Sequence, residues 1–156
     1  MYGEAVLMKK TETEIDANGV IEKAAKLLAG AKTVYLATNG SHGHPNLRAL
    51  SPVTVEGVRT VWFATDAVSN KVQELQNDKH AVIYVDAPRA ACECRLWGFV
   101  EILDDMESRE KIWNEEVAKH CPDGIESPDL RVLRFDVVNG RYTDNKKMET
   151  FPFNIE

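Results

Sequence analysis

Short runs of strand-forming residues, joined by turns rather than by long helices, constrain the fold of this chain most strongly. About six such runs occur, rich in Val, Ile, Thr and aromatic residues. Turn clusters with Gly, Asn or Pro, such as NGSHGHP at 39–45, separate many of them. Strands joined by tight turns pair in an antiparallel manner. The sequence therefore predicts a mainly β protein with two or three helices, a Greek-key-like antiparallel barrel of about six strands.

The predicted elements alternate with recognisable turn and cap residues. Strands are predicted at 33–38, 46–55, 81–86, 93–103 and 130–138, with another beginning at Thr60 and a continuation at 141–144 after the Asn139-Gly140 turn. Helices are predicted from Asp16 or Asn18 to Leu28, from Ser69 onward, and over 106–119. Pro52 is expected to bend or bulge the second strand, because proline cannot donate to a hydrogen-bond ladder. Gly98 indicates a bend or a close approach of another group.

Length and charge limit the classes of protein to which the chain can belong. Its 156 residues are enough for one domain with a pocket, covering 1–156, in which the first 15 or so residues are expected to be flexible. A formal net charge of -6 argues against a nucleic-acid binder, which needs a basic face. No apolar run approaches the ~20 residues of a membrane span, and no signal-peptide pattern opens the chain. We therefore expect a cytoplasmic protein that binds neither nucleic acid nor membrane.

The three cysteines are expected to be incidental thiols. An odd number of cysteines in a chain without an export signal makes a disulfide framework unexpected. Cys92 and Cys94 form a C-x-C pair on one face of a predicted strand, but no second pair completes a metal site. Cys121 follows His120 without a ligand spacing typical of zinc. No metal site is predicted.

The stretch TVWFATDAVSNKVQEL at 60–75 has the pattern of an anion site. An apolar strand runs into a small polar loop and then into a helix that opens at Ser69, where unpaired backbone N–H groups favour a negative charge. Thr65 and Ser69 can add hydroxyl donors, and Lys71 can fold back to neutralise the anion. An ordinary strand, loop and capped helix with a solvated lysine explains the same local pattern. A phosphate is the anion that we expect here.

The order of the motifs resembles the FMN-binding split-barrel family related to pyridoxamine 5'-phosphate oxidase, particularly its short general-stress-protein branch. The resemblance covers about residues 21–144. It rests on GHPNLRALSPV in the second strand, VWFATDAVSNKVQEL, CRLWGFVEI in the long strand, and IWNEEVAKHCPDGIESPDLRVLRFDV followed by RYTD.

This resemblance implies that FMN lies at a homodimer interface. The residues that match the phosphate-binding positions of the family are Arg48, Thr65, Ser69 and Lys71, and the backbone of Ala49, Leu50, Ser51, Phe63 and Ala64 would run along the flavin. Asn70 is a weaker match, because the family often has a basic residue there. The chemistry agrees, since a phosphate near charge -2 calls for about two cations with hydroxyl and amide donors.

Other prominent residues have simpler explanations. Trp97 and Trp113 are expected to be core residues, although either could stack near a flavin. His42 and His44 lie in a Gly-rich turn and are expected to be solvated rather than catalytic. No acid, base or nucleophile can be identified, as expected if the flavin carries the redox chemistry.

The expected function is therefore that of an FMN-dependent oxidoreductase acting on a small molecule that the sequence does not identify. The chain ends at Glu156 without the longer C-terminal segment of true pyridoxamine 5'-phosphate oxidases, so oxidation of vitamin B6 is not expected. Two alternatives remain open at this stage. One is a flavin-binding or sensing stress protein without turnover, and the other is a relative that binds haem or a deazaflavin.

Overall fold

The computed structural model describes residues 17–155 and shows a mainly antiparallel β protein with helices on its surface. The described strands are β1 (Val34–Asn39), β2 (Pro45–Leu50), β3 (Thr54–Glu56), β4 (Thr60–Asp66), β5 (His80–Ala87), β6 (Cys92–Leu103), β7 (Leu130–Asp144) and β8 (Glu149–Asn154). The α-helices are α1 (Ala17–Ala29), α2 (Asn70–Asn77), α3 (Met106–Ile112) and α4 (Glu115–His120), and a short 3-10 helix covers Pro88–Ala90.

The eight described strands form one sheet, and the two strands at its ends are consecutive in the sequence. The strand order is β2-β1-β5-β6-β7-β4-β3, and β8 pairs with β7. β2 and β3 therefore lie at opposite ends of this order, although only residues 51–53 separate them in the chain. So short a link reaches at most about 14 Å from Leu50 to Thr54. The sheet must curl until its two edges lie close together, which makes a barrel that is split between β2 and β3.

Two hydrophobic cores share the strands β4 and β7. The main core lies inside the barrel and includes Phe63, Leu133 and Phe135, all almost fully buried. A second core lies on the other face of the same strands, where Trp62 and Val132 pack with residues of α3 and α4. Both faces of β4 and β7 are thus covered. This double burial explains the nearly continuous apolar runs VWFA and RVLRF where a one-sided strand would alternate.

The structure confirms the predicted fold class and corrects several boundaries. The segment predicted as one strand at 46–55 is two strands, β2 and β3, because the chain crosses from one edge of the sheet to the other around Pro52. The predicted turn at Asn139-Gly140 is absent, and β7 runs through it while β8 pairs alongside. The β8 segment, whose Phe151 and Phe153 are buried, has no counterpart among the predictions.

The helices differ from the prediction mainly at their ends. The helix predicted over 106–119 is interrupted at Trp113, and Asn114 caps α4 by accepting a hydrogen bond from the Val117 N–H at 2.8 Å. Asn18 lies inside α1 rather than at its cap. The other proposed cap, Asp16, and the segment expected to be flexible, about residues 1–15, lie outside the described residues.

Glycine substitutions in two different surroundings test the close packing of β6 against β7. A Cβ at Gly98 would lie far inside van der Waals contact with the backbone carbonyl of Asp136, next to the register shift between Trp97 and Gly98. Gly98→Ala is therefore expected to lower the free energy of unfolding by about 1–3 kcal/mol. Gly19→Ala is the control, because its Cβ meets nothing within 4 Å in α1 and should raise stability by about 1 kcal/mol. Denaturant unfolding of both variants measures the difference, and a neutral Gly98→Ala would contradict the packing described.

Candidate functional site

A network of polar side chains joins β1, β2 and α2 around the side chain of Arg48. Arg48 Nη1 donates to the Thr38 hydroxyl at 2.6 Å and to the Leu36 carbonyl at 3.4 Å. Its Nη2 lies 3.3 Å from Glu74 Oε1, and the Arg48 side chain is 22% exposed. Arg48 is therefore a held, half-buried cation and not a mobile surface one.

Glu74 is the acidic centre of this network. It is buried, and its Oε2 accepts from the Thr38 hydroxyl at 2.7 Å while its Oε1 accepts from Asn46 Nδ2 at 3.0 Å. Burial raises the pKa of Glu74, but the hydrogen bonds from Thr38 and Asn46 and the charge of Arg48 outweigh it and lower the pKa overall. Glu74 is therefore a carboxylate at neutral pH.

Lys71 lies in the first turn of α2, close enough to Arg48 for the two charges to repel. Partial burial is the larger cause that lowers the pKa of Lys71, and the positive charge of Arg48 lowers it further, while Asp66 acts in the opposite direction. Within residues 17–155, Lys71 donates no hydrogen bond and forms no ion pair. Arg48 and Lys71, called here the cationic pair, thus make a local positive region in an acidic protein, and Lys71 retains its donors for an anion.

Two hydroxyl groups and the start of α2 complete the group predicted as a phosphate site. Thr65 lies at the end of β4, and Ser69 is the residue before α2. Their hydroxyl oxygens are 3.3 Å apart. The Ser69 side chain makes no capping hydrogen bond, and one of the two hydroxyl groups donates to the other. The second hydroxyl proton and the first N–H groups of the helix can therefore be donated to a ligand.

A cavity of about 730 Å³ opens beside the split between β2 and β3. Four of the predicted FMN-binding residues line it: Leu50, Ser51, Ala64 and Thr65. The other predicted phosphate-binding residues, Arg48, Ser69 and Lys71, do not line it. The opposite wall comes from α4 and the loop that follows it, including His120, Cys121 and Asp129. This volume lies within the range of small-molecule and cofactor sites.

Arg109 holds the loop wall of this cavity in place. Its buried guanidinium group donates to four backbone carbonyl groups, those of Asp104, Ile125, Ser127 and Leu130. Buried carbonyl groups need such partners, because a loop has no ladder to satisfy them. The wall opposite the predicted flavin positions is therefore built into the fold of α3 and the start of β7.

The remaining predicted site residues differ in their exposure and in the cavity that they line. Ala49 is exposed on the edge strand β2, whereas the Phe63 side chain is buried in the core, so only its backbone can face a ligand. Asn70 lines a separate polar cavity of about 610 Å³ between the β1–β2 turn and α2. His42 and His44 line the same cavity and are exposed.

Trp97, Trp113 and the three cysteines lie in different parts of the fold. Trp113 packs against the second core, as expected. The expectation that Trp97 is a core residue is wrong. The residues of β6 that face the core are Leu96, Gly98 and Val100, and Trp97 is half-buried on the opposite, outer face. Cys92, Cys94 and Cys121 are free thiols, and burial raises the pKa of Cys94 to about 12.

Thr38, Asn46 and Glu74 are the polar residues that the sequence analysis missed. Glu74 lies three residues after Lys71, on the same face of α2, and this spacing was the signal available for it. The described residues contain no group of three or more His, Cys, Asp or Glu that could hold a metal ion. Across that same part of the chain, no helix is long and apolar enough to cross a membrane.

The fold is a split barrel with a cavity beside the split and a cationic pair on β2 and α2. The family model described as pyridoxamine 5'-phosphate oxidase like matches residues 20–155. The chain belongs to this family. No match to a curated protein is found by sequence.

Solved structures with the same fold extend the comparison. A Clostridium acetobutylicum protein related to general stress protein 26 of B. subtilis, of the pyridoxinephosphate oxidase family, has a TM-score of 0.79 and 28% identity, over 90% of this chain and 97% of that one. General Stress Protein 26 from Bacillus anthracis has a TM-score of 0.72 and 18% identity, over 86% and 98% of the two chains. A heme binding protein from Mycobacterium smegmatis has a TM-score of 0.71 and 18% identity. The match covers 90% of this chain and 59% of that one.

Proposed function

We propose that this protein is a cytoplasmic, homodimeric flavoprotein that binds FMN and passes hydride or electrons through it to a small molecule. The observation that carries the proposal is the cationic pair beside the neighbouring hydroxyl groups of Thr65 and Ser69. The family adds support, because many of its members bind a flavin. A bound flavin would supply the redox chemistry, and the chain would bind and orient it.

The donor set fits a phosphate monoester better than a neutral group. Lys71 is an ammonium without an ion-pair partner among residues 17–155, and Arg48 retains N–H groups that its three hydrogen bonds do not use. Charge-assisted hydrogen bonds of this kind are worth roughly 1.5–3 kcal/mol each. Leu50, Ser51 and Ala64 line a cavity large enough for a flavin ring, and Thr65, one of the residues assigned to the phosphate, lines the same cavity.

Haem binding is the second candidate, and two observations favour it. One structural neighbour is a heme binding protein, and His120 lies on the wall of the cavity beside α4. A histidine is a common axial ligand of haem iron. The cationic pair, however, has a ready explanation in a flavin phosphate, so FMN is the ligand that we prefer. A flavin-binding protein without turnover fits the same site, and steady-state oxidation of a reduced nicotinamide would separate it from an enzyme.

The outer face of the sheet supports the homodimer. The strand register places Leu47, Ala37, Val82 and Trp97 in one row across β2, β1, β5 and β6. Leu47 is 67% exposed, and Tyr35, Phe99 and Val138 on neighbouring strands are also exposed. An apolar sheet face of this kind is typical of a protein interface. A second copy on this face would bury it, and Ala49 at the edge would then lie near the partner.

Flavin titration tests the assignment of the cationic pair to a phosphate. The wild-type protein is expected to bind FMN at least tenfold more tightly than riboflavin, because the two ligands differ only in the phosphate. Lys71→Ala should weaken FMN binding about tenfold or more and leave riboflavin binding nearly unchanged. Lys79→Ala is the matched control, since Lys79 pairs with Glu101 away from the site. Equal wild-type affinities for the two flavins would contradict the proposal.

The lowered pKa of Lys71 predicts that the preference for FMN over riboflavin depends on pH. In the ligand-free protein Lys71 loses its proton below the ordinary value of 10.5, whereas a bound phosphate would favour the protonated form. The ratio of FMN to riboflavin affinity should therefore fall as pH rises through the alkaline range. Titration of Lys71→Arg should show a flatter profile, because arginine keeps its charge. A ratio that stays constant up to pH 10.5 in the wild type would remove Lys71 from the site.

Sedimentation equilibrium tests the dimer and its surface. At micromolar concentration the wild type is expected to sediment as a dimer, and Leu47→Glu should shift it toward the monomer by placing a charge in the apolar row. Met148→Glu is the control, because Met148 is equally exposed but lies in the β7–β8 turn. A flavin-loaded wild type at the mass of one chain would exclude a site shared between subunits.

A further inference from the structure

Glu74 is a buried carboxylate at the centre of the polar network around Arg48, and it has no role in the function proposed above. Its two oxygens accept from side chains of three residues, Thr38 on β1 and Asn46 and Arg48 on β2. Glu74 itself belongs to α2, the helix that begins at Ser69 and carries Lys71. One carboxylate therefore connects β2 and α2, which carry the cationic pair, with β1.

The Thr38 hydroxyl shows how Glu74 acts on Arg48. A hydroxyl group has a single proton, and here that proton is donated to Glu74 Oε2 at 2.7 Å. The lone pairs of the same oxygen then face Arg48 Nη1, which donates to it at 2.6 Å. Glu74 also contacts Arg48 Nη2 directly, at 3.3 Å. The carboxylate thus orients the guanidinium both directly and through Thr38.

This arrangement leaves two N–H groups of Arg48 that can bind an anion. The guanidinium has five N–H groups in a rigid plane. The Leu36 carbonyl, the Thr38 hydroxyl and Glu74 take both N–H groups of Nη1 and one of Nη2. Within the part of the chain that the structure describes, Nε–H and the second Nη2–H remain without an acceptor. These adjacent donors can form a forked pair with phosphate oxygens.

We infer that Glu74 is a positioning residue that orients Arg48 toward the ligand phosphate, and this inference rests on the proposed FMN function. Electrostatics alone predicts the opposite behaviour, because Glu74 cancels one positive charge beside the anion. The two effects have opposite signs in one measurement, the ratio of FMN to riboflavin affinity. Positioning predicts that loss of the carboxylate lowers this ratio, whereas charge cancellation predicts that it raises the ratio.

Glu74→Gln removes the charge and keeps the shape of the side chain. A glutamine amide has one acceptor oxygen where the carboxylate has two, so its NH2 group would face either the Thr38 hydroxyl or the donors of Asn46 and Arg48. The ratio of FMN to riboflavin affinity is expected to fall about tenfold or more, with riboflavin binding nearly unchanged. Asp78→Asn is the matched control, because it also removes a carboxylate at the end of α2, and the partners of Asp78 are Asn39 and His80. An unchanged or increased ratio in Glu74→Gln would overturn the inference.

Two variants at Thr38 test the inference if Glu74→Gln does not fold. Thr38→Ser keeps the hydroxyl and should keep the ratio, whereas Thr38→Val removes the hydroxyl with little change in volume and should lower it. Equal ratios in these two variants would overturn the relay through Thr38.

A measurement without flavin separates this inference from the proposed function. In NMR spectra of the ligand-free protein, the two Nη groups of Arg48 should give separate signals in the wild type and merge in Glu74→Gln as the guanidinium rotates. Identical Arg48 signals in both proteins would overturn the positioning role, whatever the protein binds. A wild type that binds the two flavins equally would overturn the FMN proposal, and the Arg48 signals would still report on Glu74.

Discussion

The three-residue link between β2 and β3 forces the whole sheet to close on itself. These strands close opposite ends of one sheet, so the link can exist only if the sheet curls into a barrel. Curling brings the end of β2 beside the end of β4 and the start of α2. The main cavity opens at this split, and Ser51, Pro52 and Val53 of the link form part of its wall. The candidate site is thus a consequence of how the barrel closes.

Charge balance determines what such a site can hold. Arg48 and Lys71 provide two positive charges, but the buried Glu74 offsets one of them and Asp66 favours the protonated Lys71 from nearby. The site is therefore less positive than a count of its cations suggests. Its selectivity for an anion has to come from the direction of the remaining donors as much as from charge. This explains why a carboxylate can belong in a phosphate site and why its loss need not improve binding.

Local patterns in the sequence predicted much of the fold. The antiparallel class, most of the strands and the start of a helix after Ser69 follow from residue types and spacing within short segments, and the structure agrees. The separation of β2 from β3 could not be predicted, because both halves of the 46–55 segment have strand character and only the closure of the sheet parts them. β8 was missed for a similar reason, since Pro152 weakens its strand pattern and its pairing with β7 is a tertiary contact.

The candidate site was predicted only where its residues are close in sequence. Thr65, Ser69 and Lys71 belong to one recognisable segment, and Arg48 came from the family resemblance. Glu74 depends on partners 26 to 36 residues away in β1 and β2, so no local pattern identifies its role. Trp97 was placed in the core because it is aromatic, but the alternation of β6 puts it on the outer face.

Flavin binding through the phosphate is tested by identifying the molecule that the protein carries. Freshly purified protein is heated, the small molecule that it releases is identified by mass spectrometry, and the visible spectrum of the protein is recorded before heating. We expect FMN, one molecule per chain, with the absorption of an oxidised flavin. Release of haem, a deazaflavin or riboflavin in place of FMN would contradict this expectation.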